Sequence, residues 1–234
     1  MRTSADSPSN VWAIVPVKRL SRAKQRLSPV LSRRERAELV RTMLHEVLAT
    51  LRATPELVDI VVVTGDPLLA NLATQFEVQV VDDVMETGIN AAVQQGLRTL
   101  DALSPSVLVV PADVPFATVS DLQAVISELS RYPMVLAPAL SDGGTNALAM
   151  RHPNLIAPSF GAGSFIRHQA LARDAGIGCG IVRTEGLGRD IDGPNDLLPW
   201  IGSKEITLTA ALLAEFDVTG RLGTAALPVS KRRM

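Results

Sequence analysis

Four polar segments of the sequence combine residue types that bind phosphate groups or a divalent cation. The first reads PVKRLSRAKQRL over residues 16–27, directly after an apolar run, and has five cations in nine positions, among them Lys18 and Lys24. Lysine and arginine bind phosphate oxygens through charge-assisted hydrogen bonds, so this density predicts a site for a polyanion. A basic loop in contact with solvent is the alternative. The segment lacks the GxxxxGKS/T pattern of a P-loop.

Two further segments supply carboxylates. Asp113 lies in PADVP after an apolar run, and the prolines on either side fix the backbone around it. Asp190 and Asp192 lie two residues apart, so both face one side if this segment is extended. Neighbouring carboxylates repel each other unless a cation lies between them, and Mg²⁺ accepts one or two carboxylates together with phosphate oxygens. A magnesium site is therefore predicted, with helix caps and turns as the alternative roles.

The fourth is a pair of glycine-rich stretches, DGGTN at 142–146 and SFGAGS at 159–164. Both offer backbone N–H groups and hydroxyls that can surround a small anion. Ser164 is expected at the start of a helix, where unpaired amides and the helix dipole favour phosphate or carboxylate. For either stretch alone, a glycine-rich turn without a ligand is the alternative.

The rest of the sequence predicts the elements that position these segments. Short β-branched runs alternate with stretches of helical spacing, which indicates an α/β domain with a mainly parallel sheet. Strands are predicted at 11–17, 58–64, 78–81, 107–111, 134–138, 146–151 and 180–183. Ser32 and Glu35 form the capping box of a long helix, and further helices are predicted at 67–75, 89–103, 120–130, 164–175 and 194–201. We expect a polar N-terminal extension at 1–10, one domain at 11–202, and at 203–234 a peripheral or partly disordered tail with a short helix at 210–216.

Composition excludes several classes of protein. The 234 residues include 23 Lys+Arg, 24 Asp+Glu and only 3% aromatic residues, which disfavours nucleic-acid binding. Cys179 is the only cysteine, and the polar N-terminus resembles neither a signal peptide nor a membrane span, so a cytoplasmic protein without membrane contact is expected. His152 and His168 lie near the glycine-rich stretches without a nucleophile motif, so no hydrolase triad is predicted.

Taken in order, PVKRLSRAKQRL, PADVP, DGGTNAL, SFGAGSFIRH and DIDGPNDL resemble the CofC/FbiD family of guanylyltransferases in coenzyme F-420 biosynthesis, over about residues 11–201. The resemblance implies a single-domain α/β nucleotidyltransferase fold of the glycosyltransferase-A type, with a mixed, mainly parallel sheet flanked by helices. It implies transfer of GMP from GTP to a phosphorylated three-carbon acid, with release of pyrophosphate. Family acceptors include 2-phospho-L-lactate, phosphoenolpyruvate and 3-phospho-D-glycerate.

The resemblance also implies roles for individual residues. Asp113, Asp190 and Asp192 match the positions that bind Mg²⁺. Thr145, Gly161 and Ser164 match the acceptor-binding positions. The expected nucleotide-binding residues are Lys18, Lys24, Gly88 and Asn90, and Lys18, Lys24 and Asp113 are expected to act in catalysis. The product would pass to the transferase that attaches the deazaflavin, and a homodimer is left open.

Three other interpretations use the same residues. A nucleotidyltransferase for a sugar phosphate or a molybdenum-cofactor precursor would need the same sheet and acids, but such proteins begin with an LxGGxGxR-like loop instead of PVKRLSRAK. A glycosyltransferase with a DxD pair at 190–192 is less favoured, since the pair lies near the domain's end. A non-catalytic nucleotide-binding protein is disfavoured by the three aspartates and two lysines.

Overall fold

The computed structural model of the protein describes residues 10–103, 105–200 and 207–225. Its strands are β1 Val11–Pro16, β2 Leu57–Thr64, β3 Gln79–Asp82, β4 Ser106–Val109, β5 Met134–Pro138, β6 Thr145–Met150 and β7 Cys179–Ile181. Its helices are α1 Arg33–Arg52, α2 Pro67–Thr74, α3 Ile89–Leu100, α4 Val119–Ser127, α5 Ser164–Asp174, α6 Glu185–Gly188, α7 Leu208–Glu215 and α8 Val218–Ala225. Short 3₁₀ helices lie at Leu20–Arg22, Gln25–Leu27, Glu128–Ser130 and Pro194–Trp200.

The seven strands form one sheet in the order β3-β2-β1-β4-β6-β5-β7. Only β6 among these strands is antiparallel to its neighbours, β4 and β5. The predicted strands are confirmed, with ends that differ by at most two residues. Because β6 runs in the opposite direction, its amino end lies at the same edge of the sheet as the carboxyl ends of the parallel strands.

Helices cover both faces of the sheet, as a sheet of almost entirely apolar strands requires. One face packs against α1, α2 and α4, and the other packs against α3 and α5. The predicted capping box at the start of α1 is confirmed, since Ser32 Oγ accepts from Glu35 N at 3.3 Å and Glu35 Oε2 accepts from Ser32 N at 2.8 Å. The expected α/β fold with a mixed, mainly parallel sheet is thus present.

Gly96 allows α3 to approach the sheet closely. A Cβ atom at this position would lie 2.8 Å from Ile14 Cγ2 and 3.1 Å from Val63 Cγ2, both on fully buried side chains. Gly96→Val should therefore lower the free energy of unfolding by about 2 kcal/mol, because the helix must move away from the strands. Urea denaturation checks this, with Ala91→Val on the exposed side of α3 as the control. Equal midpoints for the two variants would contradict the close packing.

Part of the segment predicted as a tail packs on α1 as the helices α7 and α8. The Glu46 carboxylate accepts from Leu208 N at 2.6 Å and Thr209 N at 3.1 Å, which caps the start of α7. Arg221 of α8 pairs with Glu35 at 2.9 Å, and Leu213 is buried. Residues 1–9, 201–206 and 226–234, which include most of the predicted extension and the rest of the tail, lie outside the described residues.

None of the helices in the described ranges is both long and apolar enough to cross a bilayer.

Candidate active site

The predicted segments meet in one cleft at the edge of the sheet. The cleft has a volume of about 750 Å³ and lies beyond the carboxyl ends of β1 to β4 and the amino end of β6. Ligands of open α/β sheets bind at this edge. Nine of the ten predicted site residues line it: Lys18, Lys24, Gly88, Asp113, Thr145, Gly161, Ser164, Asp190 and Asp192.

Lys24 joins the basic segment to the two acidic ones. Its Nζ atom donates to Asp113 Oδ2 and to Asp192 Oδ1, each at 2.6 Å. Lys24 lies between two 3₁₀ turns with φ of 48°, a left-handed conformation that directs the side chain inward. Burial disfavours the ammonium, but the two carboxylates outweigh it and raise the pKa of Lys24. The lysine is therefore a fixed cation between two acids.

Asp190 is the most enclosed of the three aspartates, with 8% exposure. Its Oδ1 accepts from Asn146 Nδ2 at 3.0 Å, and the backbone N–H of Ile191 donates to the Asp113 carbonyl at 3.0 Å, which joins the two acidic segments. Burial, together with the negative charges of Asp113 and Asp192, raises the pKa of Asp190 to about 6. The aspartate thus lies where added positive charge would be strongly stabilised.

The arrangement of the acids fits a magnesium ion whose coordination is completed by substrate. Among the described residues, no group of three or more His, Cys, Asp or Glu side chains forms a ready cage for a metal. Asp113 and Asp192 nevertheless share one cation already, the Lys24 ammonium, which shows that both can face the same positive charge. Mg²⁺ commonly uses one or two carboxylates plus phosphate oxygens, so this donor set suits it. The magnesium assignment to Asp113, Asp190 and Asp192 stays a prediction.

The cations of the basic segment differ in whether they have an acidic partner. Arg19 and Arg22 both pair with Glu86, which lies across the cleft in the loop before α3. Lys18 is exposed at the cleft. Burial opposes the ionisation of Asp192, but the charges of Lys24, Arg26 and Lys18 outweigh it and lower the pKa. Positive charge therefore remains available on the side of the cleft where phosphates are expected.

The two glycine-rich stretches lie together in the lining of the cleft. Phe165 N donates to the Gly143 carbonyl at 3.1 Å, and Ser164 Oγ donates to Thr145 Oγ1 at 3.1 Å. Gly161 has φ of 112°, a conformation that favours glycine. Hydroxyls and the first turn of α5 thus face the cleft, which is the arrangement expected for binding a small anion.

The side chain of Asn90, a predicted nucleotide contact, is engaged within the protein. Its side chain makes two hydrogen bonds with the main chain of Phe160, accepting from N at 2.6 Å and donating to O at 3.3 Å. These bonds tie α3 to the 159–163 loop, and Asn90 does not line the cleft. The contact with the nucleotide stays a prediction. Gly88, the residue before α3, has φ of 117°, and the space around its missing Cβ is open.

Two residues of α5 that the sequence left without a role hold the same loop. Arg167 Nε donates to Ser159 Oγ at 3.0 Å, and its Nη2 donates to the Ser159 carbonyl at 2.9 Å. His168 is fully buried and bonds both Ser159 N and Thr145 Oγ1, each at 3.0 Å. Their spacing in the sequence could have indicated this role, because they follow Ser164 by three and four residues and so lie on the same face of the helix.

Comparison with known sequences gives a consistent set of relatives. A family model described as guanylyl transferase CofC like matches residues 11–221. A phosphoenolpyruvate guanylyltransferase from Sphaerobacter thermophilus is 38% identical over 79% of this chain and 89% of that protein. A 3-phospho-D-glycerate guanylyltransferase from Phenylobacterium zucineum is 35% identical over 79% and 86% of the two chains. A 2-phospho-L-lactate guanylyltransferase from Methanothermobacter thermautotrophicus is 31% identical over 79% and 81%.

Solved structures share the fold. A putative nucleotide-diphospho-sugar transferase from Desulfovibrio desulfuricans superposes with a TM-score of 0.72 at 18% identity, covering 90% of this chain and 97% of that one. A 4-diphosphocytidyl-2C-methyl-D-erythritol synthase from Anaerococcus prevotii gives a TM-score of 0.57 at 15% identity, covering 87% and 96%. At these identities the likeness concerns the fold alone, and it confirms the predicted fold.

Proposed function

The chain belongs to the family of CofC-like guanylyl transferases, and we propose that it transfers GMP from GTP to a phosphorylated three-carbon acid with release of pyrophosphate. It is a guanylyltransferase, and thus a nucleotidyltransferase, like its relatives.

The observation that supports it is the combination of two chemistries in one cleft. Lysines and aspartates meet there, where Lys24 bridges Asp113 and Asp192. Residues with hydroxyls and glycine amides, among them Thr145, Gly161 and Ser164, line the same cleft. A volume of about 750 Å³ is in the usual range for small-molecule sites and suits a nucleotide with a small acid beside it. The two groups of residues match a nucleoside triphosphate and an anionic acceptor.

The reaction proposed is an in-line displacement at the α-phosphorus of GTP. An oxygen of the acceptor's phosphate forms a new bond to the α-phosphorus. The bond between the α-phosphorus and the oxygen that bridges to the β-phosphate breaks, and its electron pair leaves with pyrophosphate. A phosphate monoester is already an anionic nucleophile near neutral pH, so no general base is needed. Catalysis then rests on positioning and on electrostatic stabilisation of the phosphates.

Different residues are proposed to bind the phosphates, the metal and the acid. Lys18 and Lys24 would bind the phosphates and stabilise the charge that develops on the leaving pyrophosphate. Asp113, Asp190 and Asp192 would hold magnesium, which supplies charge neutralisation and orientation of the phosphates when bound. The residues proposed to bind the acid are Thr145, Gly161 and Ser164, and Gly88 at the start of α3 would face the nucleotide.

The acceptor is proposed from the names of the relatives. Phosphoenolpyruvate is the first acid to test, since the relative from Sphaerobacter thermophilus, at 38% identity, is named for it. 3-Phospho-D-glycerate and 2-phospho-L-lactate differ from it only by small groups, which a pocket separates modestly. The product would serve coenzyme F-420 biosynthesis in the cytoplasm and pass to the transferase that attaches the deazaflavin.

The experiment is pyrophosphate release from GTP and MgCl₂ with each of the three acids in a separate reaction. Mass spectrometry of each mixture identifies the guanylylated acid, and ATP in place of GTP tests the base. We expect release with phosphoenolpyruvate and GTP. Release with a sugar phosphate alone, or binding of GTP without any pyrophosphate, would contradict the proposal and favour the related nucleotidyltransferases or a non-catalytic role.

A further inference from the structure

His168 is a fully buried histidine with both ring nitrogens engaged. Nε2 lies 3.0 Å from the backbone nitrogen of Ser159, and Nδ1 lies 3.0 Å from Thr145 Oγ1. A backbone N–H can only donate, so Nε2 must accept and has no proton. In a neutral ring the proton is then on Nδ1, and the ring donates to the threonine hydroxyl.

The surroundings of the ring keep it neutral. Burial, reinforced by the neighbouring Arg167 cation, lowers the pKa of His168 to about 4. Phe160 packs edge-on against the ring, with centroids 5.1 Å apart. At neutral pH the histidine is therefore uncharged and has one fixed tautomer, which the Ser159 amide selects.

The fixed tautomer determines the direction of the Thr145 hydroxyl. Thr145 Oγ1 accepts from His168 Nδ1 and also from Ser164 Oγ at 3.1 Å. These two bonds occupy both lone pairs of the oxygen. Among the described residues the hydroxyl's own hydrogen has no acceptor, and Thr145, although only 4% exposed, lines the cleft. The hydrogen is left for a group inside the cleft.

We propose that His168 is a positioning residue that fixes the Thr145 hydroxyl as a hydrogen-bond donor to an anionic oxygen of the acceptor acid, an inference that rests on the proposed function. Without the histidine N–H, Thr145 could rotate to donate elsewhere and present a lone pair to the anion. A lone pair that faces an anion repels it, whereas an O–H group that faces the anion attracts it. The histidine therefore decides whether the contact between Thr145 and the acid is attractive or repulsive. His168 does not itself contact the substrate.

Two substitutions separate the two bonds of the ring. His168→Gln places an amide group near Nε2, where it can accept from Ser159, but it removes the donor to Thr145. His168→Asn places its amide near Nδ1, where it can donate to Thr145, and removes the acceptor for Ser159. We expect His168→Gln to raise KM for the acid at least about tenfold with KM for GTP unchanged, whereas His168→Asn should retain most of the affinity for the acid.

A double-mutant cycle with Thr145→Val tests whether His168 acts through the threonine. Thr145→Val alone should raise KM for the acid by a similar factor, and adding His168→Gln should raise it no further. His152→Gln, on an exposed histidine outside the cleft, is the control for the same chemical change. Independent, multiplicative effects of the two substitutions, or equal KM values for His168→Gln and His168→Asn, would overturn the proposal.

The tautomer is measured without turnover. ¹⁵N NMR of the wild-type protein at pH 7 should show His168 as the neutral ring with its proton on Nδ1. A proton on Nε2, or a doubly protonated ring, would overturn the inference even if the enzyme is active. Wild-type protein that acts on none of the three acids would instead overturn the proposed function, and the role toward an acid would fall with it.

Discussion

Asp113→Asn is expected to lower kcat for pyrophosphate release about a thousandfold while the fold is kept. The side chain keeps its size, so the loop after β4 and the bond from Ile191 N to the residue-113 carbonyl should remain. What is lost is one of the two negative charges that face the Lys24 ammonium. The measurement is steady-state pyrophosphate release at saturating GTP, acid and MgCl₂.

The matched control for this loss of charge is Asp174→Asn at the exposed end of α5, which should leave kcat unchanged. Far-ultraviolet circular dichroism and the unfolding midpoint of both variants establish that the fold is kept. An Asp113→Asn enzyme with more than about a tenth of wild-type kcat would contradict the role given to this carboxylate.

Lys24→Met should lower kcat about a hundredfold and also destabilise the protein when no divalent cation is present. Methionine fills a similar volume but leaves Asp113 and Asp192 facing each other without the ammonium that lies 2.6 Å from both. Removal of one partner from a buried charge network costs several kcal/mol, and because these carboxylates are partly exposed we expect about 2 kcal/mol. Chemical denaturation in EDTA and in MgCl₂ measures the difference.

Addition of MgCl₂ should restore most of that stability in Lys24→Met, since a cation between the two carboxylates replaces the lost charge. Arg26→Met is the control, because Arg26 is 73% exposed and its guanidinium lies 4.0 Å from Asp192, farther than the Lys24 ammonium at 2.6 Å. It should change neither the stability in EDTA nor the response to magnesium. A Lys24→Met protein whose stability is the same in EDTA and MgCl₂ would contradict the assignment of a cation to this pair.

Much of the fold follows from local signals in the sequence. The central strands consist largely of apolar residues because helices cover both faces, so a short apolar run such as Val11–Pro16 or Met134–Pro138 identifies a strand. The start of α1 can be predicted from the capping box of Ser32 and Glu35, which lie three positions apart. The packing of α7 on α1 could not be predicted in this way, because it depends on Glu46, about 160 residues distant in sequence.

The charged part of the candidate site could be predicted, because lysines and aspartates that follow predicted strands indicate a site by residue type alone. Lys24, Asp113 and Asp192 belong to three separate segments, and the geometry of the sheet alone brings them together. Asn90 and His168 could not be interpreted from residue type, since an amide or an imidazole can serve either a ligand or the chain itself. Their partners, Phe160 and Thr145, are 70 and 23 residues away.

The 159–163 loop is held from two helices, by Arg167 of α5 and by Asn90 of α3, and both side chains bond its main chain. The conformational entropy lost in ordering this loop is therefore part of the folding of the protein and not of the binding of its ligand. An acid that enters the cleft encounters amides already in place, and association needs no closing step. Truncation of either side chain would move the entropy loss to the binding step, and affinity would fall although no contact with the ligand had been removed.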